Sequence, residues 1–197
     1  MTEIARFAAM MHRSAALKTR LAVEMAGVVI GVVDACEASL RGGGKIMFCG
    51  NGGSAADSQH LAAELLVRLR GKVERASWPA LALTQDPAML TAAGNDYGFS
   101  EIFARPLSGL GRVGDVLFGI TTSGRSANIV RALEVARGMG IVTVGLLGGA
   151  GAPARDHCDH LLLVADDETA RIQECHITLG HAILELLEDR LLRAPLR

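Results

Sequence analysis

The chain has 197 residues, half of them hydrophobic and 21% charged. That balance excludes a disordered or fibrous chain and leaves enough apolar residues for one sizeable core. A formal net charge of −1 argues against a bulk electrostatic grip on nucleic acid.

Residues 3–41 contain no proline and carry apolar residues at helical spacing: Ile4, Phe7, Met10 and Met11, then Leu21, Met25, Val28, Val29 and Val32. The pattern predicts an N-terminal helical segment with more apolar surface than one exposed helix needs, so part of it is expected to pack on another subunit. Its most apolar stretch, Met25–Val33, is too short to cross a bilayer, and the N-terminus shows no signal-peptide pattern. Cys36, Cys49, Cys158 and Cys175 form no C-x-x-C pair, and read as reduced thiols of a cytoplasmic protein. Gly42-Gly43-Gly44 ends the helical segment.

From there the pattern alternates. Strands are predicted over Ile46–Cys49, Ala80–Thr84, Val116–Ile120, Val142–Leu147 and Leu161–Val164. Helices are predicted over Ser54–Leu69, Ala88–Ala93, Ser100–Leu110, Ala127–Met139 and Thr169–Leu192. Arg70–Ser77 reads as a polar loop, and Gly94-Asn95-Asp96-Tyr97-Gly98 as a loop rich in turn formers. Such alternation implies parallel βαβ units with right-handed crossovers. The fold class is α/β: a three-layer α/β/α sandwich with a five-stranded parallel sheet and an N-terminal helical extension. Without an internal repeat or low-complexity linker, residues 1–197 read as a single domain, with 1–41 the oligomerisation segment and 42–197 the α/β core. In such folds ligands bind beyond the carboxyl ends of the strands, where the loops at 50–54, 94–98 and 121–126 are expected.

Two of those loops have the chemistry of anion sites. Gly50, Gly52 and Gly53 let the backbone after the first strand turn tightly and approach a ligand. Ser54 is placed to cap the following helix, whose free N–H groups and positive dipole end suit a phosphate. Thr121, Thr122, Ser123 and Ser126 supply four hydroxyls in six residues between a strand and a helix start. No G-x-G-x-x-G string follows a predicted strand and opens a helix, and no P-loop Lys-Ser/Thr ending is present, which argues against nicotinamide cofactors and nucleotide hydrolysis. On the helix after the first loop, His60 and Glu64 share a face. On the last helix, Gln173 and His181 are about 80° apart around the axis, so both can face one cleft. His176 lies off that face, and a structural role for it is as well supported as a functional one. A phosphate cradle followed by a carboxylate and an imidazole suggests proton transfer on a sugar phosphate.

Asn51-Gly-Gly-Ser-Ala-Ala-Asp-Ser-Gln-His60, Gly94-Asn-Asp-Tyr-Gly98, Thr122-Ser-Gly-x-Ser126 and Ile172-Gln-Glu-x-His-x4-His181, in that order and over nearly the whole chain, resemble the phosphoheptose isomerase family of the sugar isomerase (SIS) fold. The resemblance implies conversion of sedoheptulose 7-phosphate to D-glycero-D-manno-heptose 7-phosphate, feeding nucleotide-activated heptose for surface glycans such as lipopolysaccharide. It implies Glu64 as base and His181 as its acid/base partner. It also implies a zinc ion on His60, Glu64, Gln173 and His181, and a homotetramer built on the N-terminal helices with active sites at subunit interfaces. The phosphate would rest on Gly52, Gly53, Ser54, Thr121, Thr122, Ser123 and Ser126. Asn51, Asp57, Glu64, Asn95, Asp96 and Gln173 would contact the rest of the sugar. No nucleic-acid or membrane partner is expected. Position 121 is threonine where many members of the family carry serine; the hydroxyl is kept.

Two rival readings share the fold. Some relatives of this family bind the bacterial replication initiator without catalysis, but their acid/base residues are replaced, whereas Glu64 and His181 are present here. Other SIS enzymes and sensors act on hexose or N-acetylmuramic acid phosphates, and seldom combine the Gln-x7-His ending with the His60–Glu64 pair.

Overall fold

The computed structural model describes residues 1–194 and residue 196. Its parallel sheet is built from β1 (Ile46–Gly50), β2 (Ala80–Ala82), β3 (Val116–Thr121), β4 (Val142–Gly148) and β5 (His160–Val164), in the order β2-β1-β3-β4-β5. The helices are α1 (Glu3–Glu24), α2 (Ala26–Arg41), α3 (Gly53–Leu66), α4 (Pro87–Tyr97), α5 (Ala104–Leu110), α6 (Ala127–Gly138) and α7 (Thr169–Arg193).

The strands are near-continuous apolar runs because both faces of the sheet are covered. Ile46, Phe48, Val116, Phe118 and Ile120 point to one face, where α2, α3 and α7 cover them. Met47, Cys49 and Leu117 point to the other, under α4, α5 and α6. Phe48 and Phe118 stack across neighbouring strands with ring centroids 5.0 Å apart. Burial pushes the Cys36 and Cys49 thiols up to about 12, so they act as small hydrophobes.

The N-terminal segment divides at Met25. α2 packs on the sheet through Val29, Val32, Val33, Cys36 and Leu40. α1 docks along Leu17 and Leu21, against Val164, Ile172 and Cys175. Its first half leaves Ile4 82% and Phe7 63% exposed. Ser14 and Arg171 add a polar latch: the Ser14 hydroxyl donates to Glu174 (2.6 Å), and Arg171 donates to the Met10 carbonyl (3.2 Å).

Four differences from the sequence reading exceed one residue. α3 ends at Leu66 rather than Leu69, and β2 stops at Ala82 rather than Thr84. The predicted loop at 94–98 is the last turn of α4, which continues to Tyr97 and stops at Gly98. Asp86 caps α4 through the Met89 N–H, and Pro87 opens its first turn; a helix begun so well carries Gly94, Asn95 and Asp96 along despite their weak propensity. The predicted helix over 100–110 is a single 3₁₀ turn, Phe99–Glu101, followed by α5. No described helix is long and apolar enough to cross a membrane.

Candidate active site

β1 and β3 are neighbours, but their crossovers leave in opposite directions, β1 through α3 toward β2 and β3 through α6 toward β4. Above their carboxyl ends lies a topological switch point, the place where open α/β sheets bind ligands. The N-termini of α3 and α6 border it, and both carry free N–H groups. The two turns are tied together. The Asn51 amide donates to Asn128 Oδ1 (2.9 Å), and the Asn128 amide donates back to Asn51 Oδ1 (2.8 Å). Asn128, second residue of α6, is buried; the sequence reading passed over it, although its place just past a hydroxyl-rich loop marks it as a helix-start residue.

The Thr121 hydroxyl lies 3.0 Å from that of Ser126 and 3.4 Å from that of Ser123, so three of the four predicted hydroxyls form one cluster. Thr122 is half-buried and makes no side-chain hydrogen bond among the described residues. Ser54 does not cap α3. The cap position belongs to Gly52, and Ser54 is buried inside the first turn, because the helix begins at Gly53, two residues earlier than a cap at Ser54 requires. A cleft of 480 Å³ opens beside this turn, lined by Gly50, Asn51, Gly52, Thr84, Leu90 and Phe103 among others.

The chemistry-bearing side chains lie along the seam between α3 and α7. Gly53, Asp57, His60 and Glu64 recur at helical spacing along one side of α3. The Gln173 amide packs directly on Gly53, in the space a Cβ would need, and Gly180 lets Leu61 approach α7 closely. One turn further, His60 Nε2 and His181 Nε2 are 2.8 Å apart, and His60 Nε2 is 3.3 Å from Glu64 Oε1. His60, Glu64 and His181 offer ligand atoms all within 4.8 Å of one another. Glu64 Oε2 is buried with no hydrogen-bond partner among the described residues. Two imidazoles and a carboxylate with an unspent oxygen fit a divalent cation.

Asp57 is buried beside this group, with one oxygen unpartnered. Burial raises its carboxyl above the ordinary value, while the Gln173 amide and then the His60 and His181 imidazoles pull it back. His176 is buried against β4, and burial lowers it to about 4, opposed by the Leu147 backbone. It is a neutral core histidine. Asn95 and Asp96 are exposed on the last turn of α4, where the Asn95 amide donates to Asp96 (2.8 Å); no described side-chain hydrogen bond joins them to the seam.

Sheet order, switch-point turns and the seam of ionisable residues define a sugar-isomerase-type protein. A model of the SIS domain matches residues 10–148, and the chain belongs to the SIS domain family. Within it, the chain stands with the phosphoheptose isomerases. It is 48% identical to the phosphoheptose isomerase of Chlorobaculum parvum over 177 residues, 89% of this chain and 85% of that protein. It is 52% identical to that of Akkermansia muciniphila over 164 residues, 83% of this chain and 86% of that one. The solved phosphoheptose isomerase of Neisseria gonorrhoeae superposes with a TM-score of 0.89 at 39% identity, covering 95% of this chain and 100% of that chain. That of Francisella tularensis gives 0.91 at 35% identity, covering 96% and 100%.

Proposed function

We propose that this chain is an aldose–ketose isomerase that converts sedoheptulose 7-phosphate to D-glycero-D-manno-heptose 7-phosphate, the first step toward nucleotide-activated heptose. The observation that carries the reading is the meeting of His60, Glu64 and His181 near two tied anion-binding turns. The relatives favour the enzyme over the initiator-binding reading, and Glu64 and His181, the acid/base pair this reading calls on, are both present in the chain.

The phosphate sits on the backbone of Gly52, Gly53 and Ser54 and on the hydroxyls of Thr121, Thr122, Ser123 and Ser126. Helix N-termini and hydroxyl donors suit a dianion. Binding energy from that remote group orients the carbonyl end of the sugar. Glu64 removes a proton from C1 of the ketose, giving a cis-enediol. His181 moves protons at the oxygens or returns one toward C2. Asn51, Asp57, Asn95, Asp96 and Gln173 hold the sugar hydroxyls. His60, Glu64, Gln173 and His181 would hold a zinc ion, which would supply Lewis-acid polarisation of the substrate oxygens.

The exposed apolar half of α1 is assigned to a homotetramer interface, with active sites completed between subunits, in the cytoplasm. The test is an isomerase assay with sedoheptulose 7-phosphate on wild type, Glu64→Gln and His181→Gln, each before and after chelation. Loss of turnover in both folded variants supports the assignment. A wild type that stays inactive with added zinc sinks it and returns the initiator-binding reading to first place, with partner capture as the next measurement.

A further inference from the structure

The connection between α3 and β2 looks like a polar loop in the sequence, yet it holds a buried cation. The Arg75 side chain is 3% exposed and its partner Glu188, on α7, is 1% exposed. Arg75 Nε donates to Glu188 Oε1 (2.8 Å); Nη1 donates to the carbonyls of Leu65 and Ala76 (both 2.9 Å), and Nη2 to the carbonyl of Glu64 (2.5 Å). The guanidinium lies 3.9 Å over the Trp78 ring. Arg70 donates to the other Glu188 oxygen.

The last four carbonyls of a helix have no partner within it, and its C-terminus favours a cation. α3 ends at Leu66, so Glu64 and Leu65 supply two of those carbonyls. Arg75 therefore caps the final turn of the helix that carries His60 and Glu64. Glu188 lies two turns beyond His181 on almost the same face of α7. One guanidinium thus binds the main chain of Glu64 and a carboxylate riding on the helix of His181.

A buried ion pair is generally no better for stability than an apolar pair of the same volume, and its best-attested use is to fix register. We infer that Arg75 and Glu188 are positioning residues for the reaction: they set the rise and rotation of α3 against α7, and so the separation of Glu64 from His181. This rests on the isomerase reading for its activity readout alone. The phosphate turns lie at the opposite end of α3, so a slip at this end alters the acid/base geometry and leaves phosphate binding nearly intact.

The experiment compares wild type, Glu188→Gln, Arg75→Lys and the apolar double variant Arg75→Met/Glu188→Leu. Arg75→Lys keeps the charge but loses the fork that joins four partners, and serves where a harsher variant fails to fold. Zinc affinity is measured on folded protein by competition with a chromophoric chelator, alongside kcat, KM and Tm. Asp115→Asn is the stability control, because Asp115 is a buried carboxylate bonded to Lys45 and the Arg112 N–H, at the amino end of β3. The expected result is a loss of about 10- to 100-fold in kcat or zinc affinity, the range seen when groups behind a metal ligand are changed. KM should stay near wild type. Asp115→Asn should lower Tm with kcat and zinc affinity unchanged. The double variant should keep or regain Tm and still lose kcat. The inference is overturned if the folded Glu188→Gln, Arg75→Lys or double variant matches wild type in both kcat and zinc affinity. It is also overturned if losses track Tm across all variants, the control included. An inactive wild type whose zinc affinity still responds to these variants would overturn the isomerase reading and leave the positioning intact.

Discussion

His60 and His181 meet edge to face across the α3–α7 seam, with Nε2 atoms 2.8 Å apart and ring planes at 76°. Two neutral imidazoles sustain such a contact only when one donates its N–H, and two imidazolium ions would repel. A cation that takes the place of the shared proton satisfies both nitrogens and the unpartnered oxygen of Glu64 together.

Zinc should therefore stabilise the folded protein. At about 100 times its dissociation constant, a ligand of the native state alone adds about 2.7 kcal/mol, which is readable as a rise in Tm. His60→Ala and His181→Ala should each abolish the rise. An undiminished rise in both variants would place the cation elsewhere.

Glu64→Gln should fold normally and lose turnover by roughly 10²- to 10⁴-fold, the range for a removed general base. Exchange of the C1 proton with deuterated solvent, followed by NMR, should fall with it. Exchange that survives at the wild-type rate would assign proton removal to another group.

Asn128→Ala leaves the Asn51 amide without either of its two bonds. Each such bond contributes about 1 kcal/mol, so KM should rise by up to roughly 30-fold while kcat changes little, and inorganic phosphate should inhibit correspondingly less well. An unchanged KM would show that the two turns hold their spacing without the pair.

A Cβ at Gly180 would lie 2.8 Å from both Leu61 methyls. Gly180→Val should destabilise the protein by about 1–3 kcal/mol through overpacking and weaken zinc binding by pushing the helices apart. Leu61→Ala in the same chain should recover part of the zinc affinity. A Gly180→Val protein with wild-type stability in urea would show that the seam yields freely.

His176 supplies a pH signature. Its folded value is lowered to about 4 from an ordinary 6.5, so the unfolded chain binds the extra proton first as pH falls. The stability it contributes is complete above pH 6.5 and is lost progressively toward pH 4, a change on the order of 3 kcal/mol. His176→Leu should flatten that part of the wild-type curve of stability against pH. A variant that keeps the full slope would assign the acid sensitivity to other groups.

Much of the fold and half of the site are legible along the chain. The strands show as short apolar runs, since a sheet covered on both faces needs them apolar on both sides, and the order of glycine turns and hydroxyl loops locates their carboxyl ends. The pairs His60–Glu64 and Gln173–His181 are visible because helical periodicity is local. The end of α4 is not legible because Gly94-Asn95-Asp96 has turn propensity, while the Asp86 cap that overrides it acts from more than two turns away.

Sequence alone determined the alternation of elements, the two anion-binding turns and which helix faces carry chemistry, because these depend on backbone preferences and on residues within a few positions of one another. The tertiary structure decided that α3 and α7 lie side by side, that His60 reaches His181, that Asn51 is bound to Asn128 and that Arg75 is buried on Glu188. Those pairs are separated by 121, 77 and 113 positions respectively. Contacts at such distances are set by how the sheet stacks its crossovers and by where glycines such as Gly53 and Gly180 let helices approach, and no local pattern records them.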